Sequence, residues 1–143
     1  MSGITGFINF SHSFPDATEQ LRAMMSAIQH RGPDESGMYL DNHAALGQTR
    51  LSVIAPEAGK LPIHNESQTL WLVSAGTIFN YLELRSEMEA AGHRFHTSTD
   101  TEVILHLYEE QGMELLSRLN GQFAFALWDT SRKKLFLGRD RFG

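Results

Sequence analysis

Strand-like and helix-like apolar patterns fall in grouped runs along this chain and do not alternate one by one. A parallel doubly wound sheet needs strand–helix alternation, so the grouping favours an α+β fold with helices packed on mostly antiparallel sheets. The clearest unit is a β-hairpin: Phe123-Ala124-Phe125-Ala126-Leu127-Trp128 and Lys134-Leu135-Phe136-Leu137, joined by Asp129-Thr130-Ser131-Arg132-Lys133. Ile4–Ile8, Met38–Leu40, Ala44–Gly47, Leu51–Ile54 and Leu70–Val73 read as further short strands. Leu21, Met24, Met25 and Ile28 fall at helical spacing behind Asp16 and Glu19, which predicts a helix over 17–29 with a capping-box-like start. A second helix is expected over 80–91, with Leu82, Leu84 and Met88 on its apolar side and Gly92 as its stop. Thr99 and Glu102 predict a capping box opening a third helix through Val103, Ile104, Leu107 and Tyr108, with a shorter one at 114–119. Two glycines and a proline make 30–37 a loop.

A length of 143 residues fits a single domain, 1–143. No internal repeat or interdomain linker is visible. The chain has no cysteine, which excludes disulfides, zinc–thiolate sites, iron–sulfur clusters and a cysteine nucleophile. The net charge of −5 is spread without long runs, and Arg132-Lys133-Lys134 is too small a cluster for a nucleic-acid-binding face. No stretch has the run of ~18 apolar residues that suggests a membrane span, and the first residues lack a signal-peptide pattern, so a cytoplasmic location is expected. His93 and His96 are three apart, but no third ligand has suitable spacing, so no metal and no cofactor are expected. Met24, Met25, Trp71 and Trp128 are assigned to core packing.

Several segments carry more than structure. They are Gly3-Ile4-Thr5-Gly6, His30-Arg31-Gly32-Pro33-Asp34, Leu46-Gly47-Gln48-Thr49-Arg50-Leu51-Ser52-Val53-Ile54 and Thr99-Asp100-Thr101-Glu102-Val103-Ile104. Leu119-Asn120-Gly121-Gln122-Phe123-Ala124-Phe125-Ala126-Leu127-Trp128-Asp129 and Gly138-Arg139-Asp140-Arg141-Phe142-Gly143 complete the set. In this order, over essentially the whole chain, they resemble the glutaminase domain of asparagine synthetase, a class II (N-terminal-nucleophile) glutamine amidotransferase. The resemblance implies a four-layer αββα sandwich of the N-terminal-nucleophile hydrolase type. It also implies that Arg50 grips the α-carboxylate of glutamine through its guanidinium fork and that Asp100 pairs with the substrate ammonium.

Members of that family begin Met-Cys-Gly, and removal of the methionine leaves a cysteine whose own α-amine serves as base. Here the nucleophile position is Ser2, whose hydroxyl is far harder to deprotonate than a thiol. The family's Asn-Gly-Glu is Ala75-Gly76-Thr77 in this chain. The resemblance assigns the oxyanion hole to the Asn side chain and the Gly backbone N–H. Gly76 retains its donor, Ala75 lacks the other, and losing one such donor typically costs ~10²–10³ in rate. Thr77 replaces the carboxylate that contacts the substrate amino group. Retention of Met1 would remove the free amine from Ser2 altogether.

Taken singly, the same residues have plainer readings. Arg31 and Asp34 either fix a turn or touch substrate, Asp100 is a helix cap, and Arg50 belongs to an ion pair. Three functions follow: a glutaminase-like domain with impaired or lost hydrolysis, a slow Ser2 amidohydrolase releasing ammonia from glutamine, or a module binding an amino acid or a partner through Arg50 and Asp100. No phosphate loop of the synthetase domain is present. Family domains continue past the Arg-Asp-Arg-Phe-Gly motif, so the chain is expected to be C-terminally truncated against that pattern. A homodimer or a separate synthetase polypeptide is the expected partner.

Overall fold

The computed structural model of the chain describes residues 2–10, 15–52 and 59–143. Among the described residues, seven strands and three α-helices follow in the order β1 (Gly3–Ile8), α1 (Ala17–Ile28), β2 (Glu35–Leu40), β3 (Ala44–Arg50), β4 (Ile63–His64), β5 (Leu70–Ile78), α2 (Tyr81–Ala90), α3 (Val103–Gln111), β6 (Gly121–Asp129) and β7 (Lys134–Arg139). One sheet has the order β1-β3-β2 and the other β4-β5-β6-β7, every pairing antiparallel.

Strand alternation sorts the side chains of β3 onto two faces. Ala45 packs with Leu21 and Met25 of α1, while Ala44 and Leu46 pack with Val73, Ala126 and Trp128 of the other sheet. The far face of that second sheet carries Leu72, Ile78, Phe125 and Leu127 against Leu84 and Met88 of α2 and Ile104 and Leu107 of α3. Three apolar layers therefore separate α1, the first sheet, the second sheet and the α2/α3 pair. This is the αββα sandwich expected from the sequence.

Several local expectations change. Asp16 makes no side-chain cap. Thr99 does not cap α3 either: Asp100–Glu102 form a 3₁₀ turn, and α3 starts only at Val103. Glu102 reaches further back than a capping box allows, accepting the His96 and Thr97 N–H groups at 2.7 Å each. Leu82 is 65% exposed, because α2 turns only Leu84 and Met88 inward. The segment at 114–119 is a 3₁₀ stretch, Gly112–Ser117. Leu51 and Ser52 have left the sheet, and Val53 and Ile54 lie outside the described residues, as does Met1. Trp128 is fully buried, whereas Trp71 is half-buried and stacks on Tyr39 with ring centroids 4.3 Å apart.

Candidate active site

The layer between the two sheets is filled at one end and open at the other. Trp128, Val73, Leu46 and Ala44 fill the first end with Ile4, Tyr39, Trp71 and Leu135 packed around them. Further along the same strands the facing residues become Gln48 and Arg50 on β3, Ala75 and Thr77 on β5, and Gln122 and Ala124 on β6. Small and polar side chains cannot fill that space, and a cleft of about 650 Å³ results. The six positions to which the resemblance assigns catalytic or binding roles line it: Ser2, Arg50, Ala75, Gly76, Thr77 and Asp100; Arg31 lines it too and Asp34 does not.

Arg50 enters the cleft from the last residue of β3 and is 7% exposed. Its register partner on β2 is Glu35, and the two side chains form an ion pair through Arg50 Nη2. The Nε of Arg50 is buried and has no hydrogen-bond partner among the described residues. A buried guanidinium N–H without an acceptor is costly, so this edge of the fork is suited to an incoming carboxylate. The loop before β2 lies across the Arg50 backbone. Asp34 N–H donates to the Arg50 carbonyl at 3.1 Å, and a Cβ at Gly32 would come within 2.5 Å of Arg50 N. Glycine is needed there for close approach.

Asp100 stands at the start of the 3₁₀ turn and is 7% exposed. Its Oδ2 accepts the Ile78 N–H at 2.6 Å, which ties it to the end of β5. Burial pushes its carboxyl above the usual range, partly opposed by the N–H groups of Ile78, Asp100 itself and Thr101. No cation pairs with it among the described residues. A buried carboxylate without a counter-ion favours a ligand that brings a positive charge.

Gly76 lies within β5 with φ +118°, and a Cβ there would collide with the carbonyl oxygen of Gln122. Only glycine is accommodated without strain. It is exposed toward the cleft, between half-buried Ala75 and Thr77. Ser2 is held from two sides: Arg31 Nε donates to its carbonyl at 3.3 Å, and its Oγ accepts the Leu51 N–H at 3.4 Å. Asp34 Oδ2 accepts the Ser52 N–H at 2.8 Å. Arg31 and Asp34 thus tie together the backbone segments beside Ser2, and Arg31 also lines the cleft.

Sequence reasoning missed Glu35, whose relation to Arg50 becomes visible only with the β2–β3 register. It also missed the role of Asp140, which accepts the N–H groups of Phe123, Phe142 and Gly143 at 2.8–2.9 Å and folds the last residues against the cleft. Those N–H groups, Phe142 foremost, hold its carboxyl below the usual range.

The glutamine amidotransferase domain family matches residues 1–143. The chain belongs to that family. It is 41% identical to glutamine-hydrolysing asparagine synthetase 1 of Bacillus subtilis over 143 residues, covering 96% of this chain and 23% of that protein. It is 37% identical to glutamine-hydrolysing asparagine synthetase B of Escherichia coli, covering 100% of this chain and 26% of that protein. The amidotransferase domain thus spans about a quarter of the length of these relatives. Its fold matches that of glutamine phosphoribosylpyrophosphate amidotransferase from B. subtilis with a TM-score of 0.72 at 21% identity, over 97% of this chain and 36% of that one. Sequence and fold together make it a class II, asparagine-synthetase-glutaminase-like domain. Among the described residues, no helix is long and apolar enough to cross a membrane.

Proposed function

We propose that residues 1–143 act as one amidotransferase domain that binds glutamine, or a closely related amino acid, but whose amide hydrolysis is impaired or lost. The observation that carries this reading is the division of the cleft. Two buried charges of opposite sign, Arg50 and Asp100, are suited to the carboxylate and ammonium of an amino-acid head group. The positions assigned to the reacting amide, Ser2 and Ala75, offer a hydroxyl and a methyl group.

In this account Arg50 donates to the α-carboxylate through Nε, which Glu35 leaves unpaired, and Asp100 accepts from the α-ammonium. Thr77 supplies no second carboxylate, so the ammonium is held by one charge. The side-chain amide then reaches toward Ser2 and Gly76. Attack requires Ser2 Oγ to lose its proton to an α-amine, whose ordinary pKa of ~7.7–8 is far below that of a hydroxyl. The oxyanion would rest on the Gly76 N–H alone, and the missing donor is worth ~10²–10³ in rate. The same reading expects a cytoplasmic domain that works without a cofactor, with a homodimer or a separate synthetase polypeptide as its partner.

The test is glutamate release from glutamine. Protein whose N-terminal Ser2 is verified by intact mass is compared with the Ser2→Cys/Ala75→Asn/Thr77→Glu variant. The expected result is turnover at least ~10²-fold below the variant, from the oxyanion donor alone. Equal turnover would overturn the reading and favour an active serine amidohydrolase.

A further inference from the structure

The α2/α3 face of the molecule, away from the residues of the cleft, brings together His93, His106 and Glu109. His93 follows the Gly92 stop of α2, while His106 and Glu109 are three residues apart on α3 and so share one face of it. Glu109 Oε2 lies 3.2 Å from His93 Nδ1 and 3.0 Å from His106 Nδ1, and the three ligand atoms all lie within 4.8 Å of one another. His96, which the sequence spacing put beside His93, is not part of the group.

We propose that His93 Nδ1, His106 Nδ1 and Glu109 Oε2 form a binding site for a zinc-class divalent ion. With metal–ligand bonds of ~2.0–2.2 Å, the ligand atoms of a tetrahedral zinc site lie roughly 3.3 Å apart. The two separations from Glu109 Oε2 match that spacing, while the two imidazole nitrogens lie within 4.8 Å of each other, so ion binding requires the exposed-side His93 ring to adjust. Two imidazoles with one carboxylate are a donor set suited to zinc and its first-row neighbours.

The surroundings support an ion as well as a hydrogen-bonded cluster. Ligating histidines characteristically have a carboxylate or carbonyl on their other nitrogen, which fixes ring and tautomer. His93 Nε2 lies 2.7 Å from Glu110 Oε1, and His106 Nε2 faces Glu102 Oε1 at 3.6 Å. The remaining oxygen of Glu109 accepts the Asn65 amide at 2.8 Å. His93 and Glu109 are therefore each backed by a hydrogen-bonded outer partner, whereas His106 Nε2 is buried near Glu102 without a hydrogen bond of its own among the described residues. His106 is 1% exposed with Phe95 against its ring, so its position is set by packing. The side chains of His93 and Glu109 are 17% and 30% exposed, so the group reaches solvent on that side. Three carboxylates, Glu102, Glu109 and Glu110, surround two imidazoles, a balance that a dication improves.

Zinc chloride titrated calorimetrically into chelator-treated full-length protein tests this directly, with cobalt chloride absorption as a spectroscopic report on the ligands. Expected are one saturable site, a rise in melting temperature with zinc, and at least ~10-fold weaker binding in His93→Gln and Glu109→Gln. His96→Gln should bind like the unchanged chain. Absence of saturable zinc binding, or equal affinity in the His93→Gln and Glu109→Gln variants, would overturn the proposal. The cobalt spectrum of the unchanged protein decides the matter should either variant fail to fold: a weak octahedral spectrum counts against the site. The glutaminase reading is independent of this result.

Discussion

The two ends of the intersheet layer are built from the same strands yet treat their polar groups in opposite ways. At the filled end Asp41 accepts four donors: the N–H groups of His43 and Ala44 at 2.7 Å each, the Tyr39 hydroxyl at 2.8 Å and the Trp128 indole at 2.7 Å. Burial alone would raise its carboxyl, but those donors outweigh it and hold the group below the usual range. At the open end Arg50 keeps a buried N–H without an acceptor, and Asp100 has its carboxyl raised by burial. A fold gains stability from the first arrangement and gives some up in the second. A buried donor without an acceptor at Arg50 and a buried carboxylate without a counter-ion at Asp100 are features characteristic of ligand sites.

This contrast can be broken or sharpened by substitution. Trp128→Ala removes the largest side chain of the filled end and should cost about 3–5 kcal/mol, read as a shift in the urea midpoint. A cost near zero would mean that the filled end is not a core. Asp41→Ala leaves the Trp128 and Tyr39 donors without their acceptor, and should cost roughly 1–3 kcal/mol in the same assay. Because the folded carboxyl of Asp41 is depressed, its contribution is present above the ordinary carboxylate pKa and is lost as pH falls through the folded value. The variant should therefore show a flatter loss of stability in acid.

At the open end the effects should appear in binding. Arg50→Ala should weaken glutamine by about 10–100-fold, the worth of a charged hydrogen bond of about 1.5–3 kcal/mol. Asp100→Asn should weaken glutamine while leaving stability unchanged or slightly raised at neutral pH. The sign follows from the raised carboxyl: its contribution to stability is full below the unfolded pKa and is lost as pH rises through the folded one. For the same reason glutamine affinity should fall on acidification at a higher pH than for an ordinary carboxylate. A large loss of stability in Asp100→Asn would assign that residue to the framework instead.

Much of this was legible in the residues. The hairpin of β6 and β7, the helix at α1 and the grouped runs followed from local apolar period, which depends on no distant partner. The site positions followed from an ordered set of motifs. What stayed hidden depended on register or on reach across the chain. Glu35 meets Arg50 only because β2 pairs with β3 in one register. Glu102 looked like the far half of a capping box for Thr99 but serves the loop at His96 and Thr97, because α3 begins one turn later than its cap residues suggest. Likewise, His93 found its companions on α3, thirteen and sixteen positions on, where no local spacing points.

The most direct measurement follows glutamine binding and glutamate release in one sample of protein with a verified N-terminal Ser2. The account predicts saturable calorimetric binding that weakens in Arg50→Ala, with glutamate accumulating far more slowly than in the Ser2→Cys/Ala75→Asn/Thr77→Glu variant. Rapid glutamate release by the unchanged chain, or no binding at all, would contradict it.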